Sequence, residues 1–292
     1  MKTIIIINNR NVGFFSVFLQ IANTLIYIDN DKNIIPIVEL TQKWGYSVRS
    51  GDGGWMCVWK QFFYPLNSYK IQDGDNIIYS NNYYPNFKFK NLTKNYPDFK
   101  KVPYMESRID YSKQIKLHIK LKDIYKSKFD KFYEDKLKNS VTIGINFRGT
   151  DARSDMRRKI PEYSIYKNYI DNIIKKVGNC KIFCTSDEKE FIEYIYSNYP
   201  NKTYYNNESF IDSKKNKLSA RWEYCGNECP SYINTNPVAS LEGALFDYYI
   251  LTKCNYLIFH QASIPLSVLL TNPKIIPIVV KEGGYWDEYT TR

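Results

Sequence analysis

The chain has 292 residues, 43% of them hydrophobic and 16% aromatic, which is enough for packed cores and argues against a disordered chain. Its formal net charge of +11 requires either a solvated basic surface or an anionic partner, whether nucleic acid, a membrane face or an anionic small molecule. No apolar run approaches the roughly 20 residues that cross a bilayer, and the length predicts two domains of ordinary size.

In chain order, "MKTIIIINN" is cut short by Asn8, Asn9 and Arg10. It lacks the long apolar region and cleavage site of a signal peptide, so it predicts a first strand. Six scattered cysteines (Cys57, Cys180, Cys184, Cys225, Cys229, Cys254) add to the expectation of a reducing, cytoplasmic setting. Gly13 turns the chain into the apolar stretch "FFSVFLQIANTLIYI", and "NIIPIVEL" (Asn33 to Leu40) supplies a second strand. Strand, glycine turn, helix, strand opens a βαβ unit. "SGDGGWMCVWKQFFYP" (Ser50 to Pro65) reads as a looser aromatic region. Its "GDGG" lacks the lysine and preceding strand of a phosphate loop. "DNIIYS" (Asp75 to Ser80) is a further strand, and Tyr83 to Tyr104 reads as irregular. Between Lys113 and Lys138 the apolar positions Ile115, Ile119, Leu121, Ile124 and Phe129 predict a largely helical segment. Its lysines read as a solvated face, with nucleic acid as the alternative partner, although no recognised nucleic-acid motif is present.

A second series follows. Val141 to Phe147 is a strand, Glu162 to Lys176 an amphipathic helix, "CKIFCTSD" a strand and "EKEFIEYIYSNY" a helix. "SLEGALFDYYILTKC", "NYLIFH", "SIPLSVLLTN" and "KIIPIVV" continue the alternation. The expected architecture is therefore α/β, with two Rossmann-like domains over 1–138 and 139–292.

Several strands of the second series end in polar residues: Arg148 and Asp151, Ser186 and Asp187, His260 and Ser263. In a parallel sheet these ends share one edge, where ligands bind. Arg148 offers a planar fork of donors to phosphate oxygens, and Ser263 opens a helix whose free N–H groups favour anions. The set describes a diphosphate site, although arginine–carboxylate pairs and capping serines also serve purely structural ends. No Walker, GxGxxG or GxSxG motif is present, and no D-x-D pair stands at a strand end. A metal is therefore not expected, and charge neutralisation falls to Arg148, with Arg153, Arg157 or Arg158 assisting. With only His118 and His260 available, "CGNEC" (Cys225 to Cys229) reads as two thiols in a loop. Phe14, Phe15, Trp55 and Trp59 read as sugar platforms or, for any single one, more simply as core packing.

"INFRGTDARSDMRRKIPEY" resembles the H-x-R-x-x-D region of the fucosyltransferase superfamily, which includes the α1,6- and protein O-fucosyltransferases. "IFCTSDEKEFIEYI" is similar to that family's strand ending in T-D-D. "SLEGALFDYYILTKCNYLIFHQASIPLSVLLTNP" resembles its D-x-x-x-L-S-x-x-D stretch and serine-containing loop, and "NNRNVGFFSVFLQIANTLIY" its first glycine turn. The resemblance implies a GT-B-like fold, with the two domains facing each other across a cleft. It further implies an inverting, metal-independent glycosyltransferase. The favoured donor is GDP-fucose, the acceptor is a glycan hydroxyl, and no cofactor is expected.

Carried over by position, Arg148 holds the departing diphosphate, Asp151 orders its loop, and Asp247 lies near the base or ribose. Ala262 and Ser263 contact the phosphates, and Ser186 and Asp187 fit the strand-end pair. Asn146 stands where the family often has histidine beside the nucleotide, Gly149 replaces a second arginine, and Met156 replaces a carboxylate suspected as base. Asp155 or Asp151 then remains for that role. Three alternatives stay open: a rhamnose, mannose or xylose nucleotide as donor, a non-catalytic sugar-binding relative, and a basic nucleic-acid-binding protein.

Overall fold

A computed structural model describes residues 1–8, 13–28, 31–41, 50, 54, 56–79, 106–149, 160–206, 237–260 and 262–280. The first half begins with β1 (Thr3–Asn8), α1 (Phe14–Ile28) and β2 (Ile34–Glu39), followed by α2 (Val58–Phe62) and β3 (Asn76–Tyr79). These strands form a parallel sheet in the order β2-β1-β3. Isoleucine fills positions 4 to 7 without alternation because both faces of β1 are covered. Helix α1 is apolar almost all round, and it is correspondingly buried.

Next come α3 (Arg108–His118) and α4 (Asp123–Lys136). The basic segment is thus broken in the middle. Ile119 leaves helical geometry, and Leu121 forms a bridge to Phe63. Ile124, expected to face inward, is exposed, whereas Phe129 is fully buried. Part of the lysine charge is paired on the helix surface: Lys126 pairs with Asp130, Lys131 with Asp135, Lys138 with Glu134, and Lys128 with Glu242.

The second half contains β4 (Val141–Phe147), α5 (Tyr163–Val177), β5 (Cys180–Ser186), α6 (Lys189–Asn198) and β6 (Thr203–Tyr204). It closes with α7 (Pro237–Leu251), β7 (Tyr256–Phe259), α8 (Ser263–Thr271) and β8 (Ile276–Val279). Its five strands are parallel, in the order β6-β5-β4-β7-β8. The chain winds outward from β4 in one direction through β5 and β6, then returns to wind the other way through β7 and β8. The order reverses between β4 and β7, which makes the gap beyond their carboxyl ends a topological switch point.

Two aromatic layers cover this sheet. Phe147 sits against Phe191 (stacked, 4.2 Å), Tyr163 (5.3 Å) and Tyr166 (5.4 Å) on one face. On the other face Phe183 meets Phe246, and the cluster continues into the first half through Phe15 and Phe18, 5.1 and 5.3 Å from Tyr248. Helix α3 ties the halves further: Ser112 donates to the Thr271 carbonyl at 2.7 Å, and buried Arg108 reaches the carbonyls of Pro273 and Ile275. A guanidinium at the carboxyl end of α8 suits the negative end of the helix dipole.

Candidate active site at the switch point

The carboxyl rim of β4 is fixed before its functional residues begin. Phe147, locked in its aromatic box, holds the strand end, and half-buried Arg148 follows it at the carboxyl edge of the sheet. The Arg148 carbonyl accepts from His260 Nε2 at 2.8 Å, so β4 and β7 are joined across the switch point by a side chain. The next amide, Gly149 N–H, donates to Asp187 Oδ1 at 2.7 Å, which joins β4 to β5. Glu188, buried behind this turn, accepts from the Tyr163 hydroxyl at 2.6 Å, and its own amide is capped by Ser186 Oγ at 2.8 Å. A Cβ added to Gly149 would stand 2.1 Å from the Glu188 carboxyl carbon, so glycine is demanded here by close approach.

One turn below the rim lie two side chains with unmet hydrogen-bonding capacity. Asn146 donates through Nδ2 to Thr185 Oγ1 at 2.9 Å, and Thr185 in turn donates to the Ile145 carbonyl at 3.0 Å. Among the described residues Asn146 Oδ1 has no partner, although the residue is only 6% exposed. Asp247, 7% exposed, likewise has a buried Oδ1 without a partner. Burial holds its carboxyl well above the usual carboxylate range and, by charge, helps to raise the Cys184 thiol that burial already raises. Asn146 shares a face of β4 with Gly144, which is covered by Leu251, one turn after Asp247 on α7. Because α7 runs back along the sheet, Asp247 lies toward the Asn146 end of that face. Buried polar atoms without partners are costly, and both of these lie below the carboxyl rim.

Ala262 is the extended residue before α8, and Ser263 begins the helix. Ser263 Oγ exchanges a hydrogen bond of 2.9 Å with Ser16 Oγ near the start of α1. Two helix amino termini therefore meet at a pair of hydroxyls. Pro265 has no amide N–H, which leaves the N–H groups of Ser263 and Ile264 without intrahelical partners in the first turn.

The sequence-predicted residues Asn146, Arg148, Ser186, Asp187, Asp247, Ala262 and Ser263 are all placed on or just below this carboxyl edge. Asp151 and Asp155, with Arg153, Arg157, Arg158, Trp55, Cys225 and Cys229, lie outside the described residues. Phe14, Phe15 and Trp59 are buried core residues, so packing accounts for them. Sequence reasoning missed Tyr166, Thr185, Glu188 and Ser16. Only Ser16, just after a glycine turn, carried any signal. Among the described residues, no group of three or more His, Cys, Asp or Glu is placed to hold a metal ion. A recess lined by Val141, Asn255, Lys274 and Ile276 opens at the opposite, amino-terminal edge of the sheet, away from Arg148.

No protein-family model matches the chain, and no curated protein does. Solved structures do. NodZ α-1,6-fucosyltransferase soaked with GDP-fucose superposes with a TM-score of 0.53 at 13% identity, covering 94% of each chain. Fucosyltransferase NodZ from Bradyrhizobium gives the same TM-score, identity and coverage. POFUT1 in complex with GDP-fucose gives 0.52 at 7% identity, covering 95% of this chain and 98% of the other. Across nearly its whole length, the chain has the fold of the GT-B fucosyltransferases.

Proposed function

We propose that the protein is an inverting, metal-independent glycosyltransferase that moves fucose from GDP-fucose to a glycan hydroxyl. Its two Rossmann-like domains, 1–138 and 139–292, would face each other across the cleft that holds both substrates. The observation that carries this reading is the switch point itself. An arginine stands at its mouth, and below it lie two buried oxygens, of Asn146 and Asp247, that await donors.

In this reading Arg148 and the α8 amides bind the diphosphate, and Asn146 and Asp247 face the base. The acceptor hydroxyl attacks the anomeric carbon from the side opposite the leaving group. Negative charge grows on the departing diphosphate, and Arg148 with the helix N–H groups stabilises it in place of a metal. The hydroxyl's proton passes to a carboxylate, Asp155 or Asp151.

Guanine offers neighbouring donors, N1–H and an exocyclic amine, to two acceptors, which supports a GDP donor. Asn146, standing where the family often has histidine, favours a second reading in which the same fold takes a rhamnose, mannose or xylose nucleotide. Thermal-shift titration with GDP, UDP, dTDP and their sugars decides between them. A nucleotide that binds only the folded site raises the melting temperature, and the expected order is GDP above the others. A response to UDP or dTDP alone would replace the donor, and no response to any nucleotide would defeat the reading.

A further inference from the structure

Two rim contacts act on a single peptide unit. The carbonyl oxygen of Arg148 accepts from His260 Nε2–H at 2.8 Å. The N–H of Gly149, at the other end of the same amide plane, donates to Asp187 Oδ1 at 2.7 Å. Strand β4 has already ended at Phe147, so no backbone ladder orders this plane. Side chains from the strands on either side do so instead. A peptide plane held at both ends has lost the freedom to rotate, which fixes the direction in which the Arg148 side chain leaves the rim.

The imidazole is itself fixed. A carbonyl oxygen only accepts, so His260 Nε2 carries a proton and Nδ1 presents its lone pair to the Tyr166 hydroxyl. Tyr166 is wholly buried on α5. Its other neighbour, the Asn146 carbonyl, stands 3.5 Å away, at the limit of a hydrogen bond. The His260 ring meets Phe147 in an edge-type contact, with ring centroids 5.3 Å apart, so the histidine also packs against the residue that anchors the strand end.

We infer that His260 is a positioning residue for Arg148, its ring held by Tyr166, and that the relay Tyr166–His260–Arg148 aims the guanidinium at a diphosphate. The inference rests on the diphosphate role proposed for Arg148. Helix α5, behind the sheet, is thereby coupled to the anion site through one ring.

Two measurements test it. The chain has only two histidines, His118 and His260, so isotope-labelled imidazole nitrogens give two sets of resonances, and His118→Gln assigns them. The expected spectrum shows His260 neutral and protonated at Nε2, with the same tautomer in Tyr166→Phe, where the Arg148 carbonyl still accepts. Protonation at Nδ1 in the wild type, or titration like an exposed imidazole, overturns the clamp, and this result is decided whether or not a nucleotide binds. GDP and guanosine are then titrated into wild type, His260→Leu and His260→Gln. Loss of one positioned hydrogen bond should weaken GDP about tenfold in His260→Leu. Guanosine, which lacks the phosphates, should bind unchanged, and glutamine, which restores a donor, should recover most of the GDP affinity. Equal losses for both ligands, or an unchanged GDP affinity, overturn the positioning role. Should His260→Leu fail to fold, Tyr166→Phe provides the same GDP-selective comparison. A wild type that binds no GDP defeats the proposed donor, while the tautomer result still judges the clamp.

Discussion

The two sheets share a topology and differ in chemistry. Both are parallel, and both reverse their strand order beside their first strand: β2 and β3 flank β1, as β5 and β7 flank β4. Switch points are where open α/β sheets accept ligands, so topology alone offers two sites. At the first, four isoleucines run to Asn8, and β2 closes on Glu39. At the second, Arg148 arrives between Asp187 and His260, above the unpartnered oxygens of Asn146 and Asp247. A switch point supplies a place, and the polar residues at its strand ends determine what the place can hold. In the proposed function the second sheet holds the nucleoside diphosphate, and the first is left for the acceptor.

The sharpest way to break this contrast is Arg148→Ala. Removing one preorganised contact to a developing anion typically costs about 3 kcal/mol, or roughly a hundredfold in rate. Transfer from GDP-fucose should fall by that order, and donor hydrolysis with it. Transfer that continues unchanged would move the chemistry away from the second sheet.

Gly149→Ala should do damage of a different kind. The new methyl would collide with the Glu188 carboxyl, and overpacking of this sort costs about 1–3 kcal/mol. Denaturant titration should show that loss, and Glu188→Ala in the same chain should return part of it, as a double-mutant cycle on touching groups requires. Additive losses would mean that the glycine is needed for a reason other than space.

These two sites also mark how far the sequence could be read. Isoleucine-rich strands and the amphipathic face of α5 were legible because burial on one or both faces writes itself as a period. Arg148, Asp187 and His260 were legible as polar strand ends. Their partnership was not, because it depends on the register that sets Asn146 beside Thr185 on one side and beside Phe259 on the other. Helix α2 was missed because Trp59, Phe62 and Phe63 crowd five residues with rings that follow no clear period. The break between α3 and α4 was missed for the opposite reason: Ile119 and Leu121 fit a helical period yet serve a bridge to Phe63. Tyr166 resembled any other core residue of an amphipathic helix, and only its contact with His260 distinguishes it.

A smaller change should run in the favourable direction. Burial raises the Asp247 carboxyl's affinity for its proton, so the folded protein binds a proton there that the unfolded chain has released. Stability from this group is therefore complete below the ordinary carboxylate range and is lost progressively as pH rises toward the folded value. Asp247→Asn removes the penalty. Urea titrations should find the variant more stable than wild type at pH 8, with the gap narrowing toward pH 4. The same variant should bind GDP more weakly, since the amide offers the base one acceptor oxygen in place of a carboxyl's two. A gap that widens on acidification would contradict the buried, proton-holding carboxyl.

The smallest expected effect concerns the charge that first set this chain apart. Lys126 on α4 pairs with Asp130 at 2.7 Å, and Asp130 also accepts from the Tyr249 hydroxyl at 2.6 Å. An exposed pair four residues apart contributes about 0.3–0.5 kcal/mol, screened by salt. Lys126→Ala should therefore lower stability only slightly at low ionic strength and hardly at all at high. Part of the basic helix's charge is paired with neighbouring acids, so wild-type protein should be retained only weakly by DNA. If retention were strong and fell steeply with salt, with the slope reduced in Lys126→Ala, several lysines would be neutralising phosphates. The basic face would then rank as a second anion-binding surface beside the switch point of the larger sheet.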